Sequence, residues 1–393
     1  MNRAPLPSNE TRWICERAGQ LGFELCGVAA AEKFPELLRY PEWLARGYAG
    51  EMNYLSDPRR LDPEDAMSGV RSLIVCALNY NSGFPYSTGV PADLRDRPRG
   101  WISRYAWGDD YHEVLWEKLN RLVVELKVRF SGQAPFEARA YADTGPIHER
   151  AAAKYAGLGW LGKNTLLINQ KAGSWLFLGA ILTTLQLAPT VGAAELPPPD
   201  RCGTCRACID ACPTRAIVEP YVLDASRCIA YLTIELRGSI AEELRQPMGR
   251  HVFGCDICQD VCPWNRKSPR SGAQEFQPRR VAPAAQGNSS PEDGGSLFSP
   301  ELLGLANLDE TGFRELFRSS PVKRAKWRGL LRNVCIALGN SGVKPVAAVY
   351  PEVLTALERL SRSGEAAVAE SARWALSRIQ REGNPSAPAE PPG

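Results

Sequence analysis

CGTCRACIDACPTRAI (202–217) and HVFGCDICQDVCPWN (251–265), with RCIAYLTIELRG (227–238) between them, hold eight of the chain's twelve cysteines. Cys202, Cys205, Cys208 and Cys212-Pro213 form C-x2-C-x2-C-x3-C-P. Bacterial ferredoxins hold iron-sulfur clusters with this run, and its fourth thiolate ligates the neighbouring cluster. Cys255, Cys258 and Cys262-Pro263 repeat the end of the run, and Cys228 stands in for the cysteine that a tight run would place at Val252. Crossed ligation then predicts two 4Fe-4S clusters, one on Cys202, Cys205, Cys208 and Cys262, the other on Cys212, Cys228, Cys255 and Cys258. Structural zinc favours paired C-x2-C knuckles and has no use for the prolines or a crossed fourth ligand. Disulfides need an oxidising compartment, to which nothing in the sequence points.

At 393 residues the chain has room for two or three domains around at least one large core. Its opening, MNRAPLPSNETRW, has neither an apolar signal core nor twin arginines, and the longest apolar run, 176–188, is too short to span a bilayer. The expectation is a cytoplasmic monomer without a membrane partner, in which cysteines serve metal ligation rather than bridges. Cys15, Cys26, Cys76 and Cys335 stand among apolar residues and read as small buried hydrophobes. A net charge of +3 does not announce a nucleic acid, but KRAKWRGLLR (323–332) carries five cations and no acid. Taken alone, such a run is as readily a solvated helix face.

Apolar periodicity predicts helices over 9–21, 113–130 and 147–156, and strands over 23–28, 71–80, 137–141 and 175–187. Their alternation over 1–188 makes a three-layer α/β or α+β domain, and the whole chain an α+β multidomain protein. Proline-rich PTVGAAELPPPD (189–200) leads into the cysteine region. The stretch 268–296, rich in Pro, Gly, Ser, Gln and Arg, reads as a flexible linker. Helical patterns return over 321–338 and 351–379 and suggest a short HEAT-like stack, while the last residues read as a disordered tail. The resulting division is 1–190, 191–267, a linker 268–300, a helical domain 301–383 and a tail 384–393.

GLGWLG (157–162) matches G-x-G-x-x-G but follows a helical stretch, whereas a dinucleotide fingerprint follows a strand and opens a helix. Helix termination and a close backbone approach suit these glycines better. Asp110-Tyr111-His112 begins like the D-x-H-x-x-G cobalamin motif, yet Leu115 holds the glycine position, so a histidine ligand to cobalt has no support. His112, His148 and His251 default to surface or satisfied core positions. Asp143 ends a predicted strand in an Asp-Thr-Gly-Pro turn. It is either an Asx cap on Gly145 or a cavity-facing general acid whose pKa burial would have to raise.

Several segments together resemble one family, the epoxyqueuosine reductases: SRYAWGDDYH (103–112), DTGPIHERAAAKYAGLGWLGKN (143–164), the two cysteine runs, RCIAYLTIELRG (227–238) and RGLLRNVCIALGN (328–340). The resemblance implies an α/β cobalamin-binding domain, a ferredoxin-like module with two 4Fe-4S clusters and a HEAT-like domain that carries tRNA. It implies reduction of epoxyqueuosine to queuosine at the tRNA wobble position by cob(I)alamin, base-off and without a histidine ligand. The clusters would feed the cobalt from an external low-potential donor. By the same matching Asp143 is the proton donor, and Arg60, Ser103, Asp143, Leu167, Leu178 and Thr233 contact the corrin. Lys323, Arg324, Lys326, Arg328 and Arg332 become candidate tRNA contacts, since phosphate neutralisation is the use such a run would have. The alternatives are a reductive dehalogenase, another corrinoid and iron-sulfur enzyme, and a multidomain ferredoxin-type carrier with neither corrin pocket nor tRNA affinity.

Overall fold

The computed structural model describes residues 8–89, 97–132, 135–192, 195, 198–281 and 295–383. Its first part is built on a four-stranded sheet of β1 (Leu25–Ala30), β2 (Ser72–Asn79), β3 (Ala138–Tyr141) and β4 (Leu176–Thr183). The spatial order is β1-β2-β4-β3 and every pairing is antiparallel. The α/β layout expected of the first domain is corrected by this ladder: with every pairing antiparallel this is not a parallel crossover sheet, and the domain is α+β. Side chains on a strand alternate between faces, and β2 displays this throughout. Ile74, Cys76 and Leu78 pack with α1 (Asn9–Gln20) and α2 (Tyr111–Arg129), while Leu73, Val75 and Ala77 pack with α3 (Glu149–Tyr155) on the other face. Three layers result, and the loops after β3 and before α2 open at one edge.

The cysteine region is not a bead on a string. His251–Phe253 runs parallel to Trp101–Ile102, so the module is hydrogen-bonded into the first domain. Two short helices, Ala207–Asp210 and Ile257–Asp260, hold the middle of each cysteine run. Behind them Val252 and Phe253 join a core shared with α4 (Lys326–Gly339), α5 (Tyr350–Ser361) and α6 (Ala366–Gly383). Among the described residues no helix is long and apolar enough to cross a membrane.

Two expectations change here. The predicted linker is largely packed chain: Phe276 is 4% exposed in the first core, and Leu297 and Phe298 are 1% and 5% exposed in the second. Burying such side chains stabilises by about 1.5–3 kcal/mol each, enough to hold a polar stretch by a few anchors. Only 282–294 of that expectation lies outside the described residues, as does the predicted tail. The basic helix predicted from Pro321 is also broken: Pro321–Ala325 is a 3-10 turn, and α4 begins at Lys326, whose φ is +61°.

Candidate active site

A cavity of about 2380 Å³ opens between the first domain, the cysteine module and the segment 310–327. It is several times larger than a small-molecule pocket of roughly 300–1,000 Å³. Of the six non-glycine residues with positive φ among those described, Asp143, Thr165, Tyr221, Ser319 and Lys326 line it, and only Arg215 does not. A non-glycine residue held in this region costs of order 1–3 kcal/mol, and such strain gathers where a surface must be shaped for use.

Asp143 stands in the wall between β3 and α3 with its side chain 61% exposed to the cavity. Its carboxylate does not cap Gly145. Oδ2 accepts from the Tyr111 hydroxyl at 2.7 Å and lies 3.4 Å from His112 Nε2, while the Asp143 amide donates to Glu149 Oε1 at 2.8 Å. The other ring nitrogen, His112 Nδ1, is 2.6 Å from Asp110 Oδ1, and Asp110 Oδ2 meets Lys323 Nζ at 2.7 Å. A chain of contacts thus runs from Lys323 through Asp110 and His112 to Asp143.

Electrostatics follow from that chain. Desolvation alone would raise the Asp143 carboxyl, but hydrogen bonds from His112 and Tyr111 and the imidazolium charge hold it below the usual carboxylate range. The raised pKa expected for a general acid is therefore not found on Asp143. Desolvation opposes the His112 charge, yet Asp110 and Asp143 bring its pKa up to about 9. Burial and the Asp143 charge push Glu149 up to about 7. His112 is half-buried, with its two ring nitrogens beside the Asp110 and Asp143 carboxylates, which gives the default reading a specific setting at the cavity. Asp110 is the N-cap of α2 and accepts from the His112 amide at 3.2 Å, so an Asp-x-His at a helix start was the available signal.

The predicted corrin contacts are not gathered in one wall. Arg60 and Asp143 line the cavity; Ser103, Leu167, Leu178 and Thr233 are not among its lining residues. Arg60 stacks on Tyr54 with 5.7 Å to the ring centroid, whereas Arg59 is committed to Asp57 at 2.7 Å. Ser103 is buried and donates to Asp256 Oδ1 at 2.5 Å, and Thr233 receives the Gly254 amide at 2.9 Å. Leu167 is buried beside α3, and Leu178 is half-buried on the same face of β4. The cavity has the volume for a large group, and Glu36 Oε2 and His148 Nε2 are buried in its lining without a hydrogen-bond partner.

The basic run is brought to the same cavity by Lys323, Arg324 and Lys326, together with Arg314 and Arg318, which the sequence reading did not single out. Lys323 and Arg324 are already paired, with Asp110 at 2.7 Å and Glu235 at 3.0 Å, and Arg328 with Glu365 at 2.9 Å. Arg332 must be withdrawn from the set. It is 1% exposed and spends its guanidinium on the carbonyls of Leu232, Leu236 and Gly238.

The eight predicted cluster ligands crowd one another, with influences that run both within and between the two predicted sets. Burial, then Cys262, Cys202 and Cys205, push the Cys208 thiol up to about 11. Burial, then Cys228, Cys208 and Cys212, raise Cys258, and burial with Cys228 and Cys258 raises Cys255. Thiolates crowded in this way are costly to ionise until a cation is bound among them. Among the described residues no three His, Cys, Asp or Glu side chains close on a single-ion site; a cluster sits between its thiolates instead of at a point they share. Lys163 Nζ donates to the Gly203 and Cys205 carbonyls at 2.6 and 2.9 Å, tying the loop after the glycine motif to the first cysteine run. The expected close backbone approach is found at Gly159, where a Cβ would strike the Ile168 carbonyl of the antiparallel pair Trp160–Leu161 and Leu167–Ile168.

Residues 201–265 match the 4Fe-4S double cluster binding domain, and 60–144 match a family model described as epoxyqueuosine reductase QueG, DUF1730. An epoxyqueuosine reductase of Pseudomonas aeruginosa is 37% identical over 95% of this chain and 96% of its own length. That of Gloeobacter violaceus is 43% identical over 84% and 96%. A crystal structure of an epoxyqueuosine reductase with a tRNA-Tyr epoxyqueuosine-modified stem loop superposes with a TM-score of 0.79 at 29% identity, covering 94% of this chain and 89% of the other.

Proposed function

The chain belongs to the epoxyqueuosine reductase family, and from that premise we propose that it is the oxidoreductase that reduces epoxyqueuosine to queuosine at the wobble position of tRNA in the cytoplasm. One observation carries the reading beyond family membership. A single cavity, too large for a small molecule, has the strand-end carboxylate Asp143 on one wall and five cations of 310–327 on another. An anticodon loop docked on the cationic wall would splay its modified base toward Asp143, as single-stranded RNA is commonly read.

We read the first domain as the holder of base-off cobalamin and the C-terminal helices as a HEAT-like platform for tRNA. The cavity-facing pair Arg60 and Asp143, with the unpartnered His148 Nε2 beside them, would contact the corrinoid. When bound, a corrinoid supplies the strong reductant, and cysteine-ligated clusters have the low potentials needed to recharge it from an external donor. The chain's own residues bind, orient and protonate. Asp143 faces the cavity at the end of a series of polar contacts and is the group placed to give a proton to the epoxide oxygen.

Mass spectrometry of the nucleoside, after incubating reduced, cobalamin-loaded protein with epoxyqueuosine-bearing tRNA, tests the reading. Loss of one oxygen is expected for the wild type. Asp143→Asn should slow it by about 10²- to 10⁴-fold, the usual contribution of a positioned acid. An unchanged nucleoside with wild-type protein would end the proposal, and near-normal turnover by Asp143→Asn would end the acid role.

A further inference from the structure

Removing an epoxide oxygen as water consumes two electrons and two protons, and both protons finish on the same oxygen. The first opens the carbon-oxygen ring bond to leave a hydroxyl; the second converts that hydroxyl to water as the remaining carbon-oxygen bond breaks and the double bond forms. The electrons come from the reductive activity of the site. Asp143 has one carboxyl, and its partners in the resting site hold it ionised.

We propose that His112, fixed by Asp110, is the positioning residue that stores and reloads this proton, so that the delivering unit is the Asp143–His112 pair rather than Asp143 alone. The inference rests on the function proposed above and deepens it. Its basis is geometric. His112 Nε2 is 3.4 Å from Asp143 Oδ2, an ion-pair contact across which a proton can pass once the two groups close to hydrogen-bond distance. The 2.6 Å contact of Nδ1 with Asp110 Oδ1 sets the ring's orientation and leaves Nε2 as the nitrogen that faces the cavity acid. Asp110 is itself 3% exposed and held by Lys323 from the segment before α4. The ring stacks on Tyr111 with centroids 4.0 Å apart, and the Tyr111 hydroxyl binds the same Asp143 oxygen. The other titratable and charged groups that face the pair include Glu149 and Arg150 of α3, Arg324 from the segment before α4, and the phenols of Tyr54 and Tyr105.

The proton moves from Nε2 to Oδ2 and from Oδ2 to the substrate oxygen, leaving neutral imidazole and a carboxylate. Two coupled groups titrate as a unit, and this unit keeps its proton until an apparent pKa near that of His112, about 9. An oxygen developing alkoxide character is far more basic than the pair, so delivery is downhill although Asp143 is ionised at rest. Neutral His112 then takes a second proton from solvent and the cycle repeats for the hydroxyl.

Single-turnover reduction by pre-reduced, cobalamin-loaded enzyme, followed against pH, reads the proposal directly. The wild-type rate should be flat from about pH 6 to 8 and fall near 9. His112→Gln leaves Asp143 as a lone carboxyl, so its rate should drop about tenfold for each pH unit across the same range. Asp110→Asn should move the wild-type break downward. A His112→Gln profile as flat as wild type overturns the proposal. If the variant is inactive at every pH, the second measurement decides. With only three histidines in the chain, the imidazole NMR signals are separable, and His112 should titrate near 9 in wild type and clearly lower in Asp143→Asn. A His112 signal that titrates at its ordinary value, or is indifferent to Asp143→Asn, overturns the pairing. Failure of wild-type protein to reduce the tRNA would instead strike the functional reading and leave the titration result standing.

Discussion

At φ +62° Asp143 occupies the left-handed region, which aspartate tolerates better than most residues but still at a cost. The strain turns its carboxylate off the local backbone and toward Tyr111 and His112. Protonation here is linked to folding. Glu149 and His112 have folded-state pKa values of about 7 and about 9, against ordinary values of 4.5 and 6.5. Both therefore bind protons in the folded state that the unfolded chain has released, so stability is greatest below the ordinary value and falls as pH rises through the folded one. The windows are 4.5 to about 7 for Glu149 and 6.5 to about 9 for His112. His148 has the opposite sign: burial lowers it to about 4, and it favours the fold increasingly as pH rises toward 6.5. Between pH 7 and 9 the His112 slope should stand out, amounting to about 1 kcal/mol after discounting for a ring one-third exposed and screened by solvent. Denaturant titrations at pH 7 and 9 should show wild type losing stability and His112→Gln losing measurably less. Asp143 was legible as a strand-end carboxylate in a turn. Its governing partner was not, because His112 reaches it only when the start of α2 is laid beside the end of β3.

The strands were readable to within a few residues because each carries an apolar signal of its own: 71–80 was expected and Ser72–Asn79 is found. The break at Lys326 was not, since Lys-Trp-Arg-Gly is unremarkable in sequence and nothing in it announces a positive φ; upstream, the segment is docked against the N-terminus of α2, where the Asp110 amide donates to the Ser319 carbonyl at 2.9 Å. Among the elements the crossed cysteine assignment makes the sharpest prediction. The expected crossing would assign Cys262 to the first run's cluster although it lies in the second, and Cys228 to that of Cys212 and the later cysteines; after burial, Cys202 and Cys205 are what raise Cys262, and Cys212 is among what raises Cys228. Cys262→Ala and Cys228→Ala should each lower iron from about eight to about four per chain, and each should remove a different cluster's signal in the reduced protein's electron paramagnetic resonance spectrum. Ligation run by run would predict instead that Cys262→Ala damages the same cluster as Cys258→Ala, and matching spectra for those two variants would refute the crossing.

Across the whole molecule, the cavity exists only because three separately readable regions meet, and no pattern within one region announces the meeting. The cationic wall also divides into unequal members. Lys326 and Arg318 have no ion-pair partner among the described residues, whereas Arg314, Lys323 and Arg324 are paired with carboxylates; outside the cavity Arg328 is paired too and Arg332 is buried. A free cation gains a phosphate at the cost of its hydration alone, while a paired one must first release its acid, so the unpaired members should carry most of the counterion release. Binding of an anticodon stem loop should weaken steeply with salt, and Lys326→Ala and Arg318→Ala should each reduce the slope of log affinity against log salt by about 0.7–0.9. Lys323→Ala should change that slope less, because the contact it loses is with Asp110. Arg332→Met should leave the slope alone and lower thermal stability, for it strips the carbonyls of Leu232, Leu236 and Gly238 of a buried donor, each orphaned acceptor costing about 1–3 kcal/mol. Equal slope changes at all of these positions would mean that the ion pairs seen in the cavity open freely and that the wall acts as one undivided field.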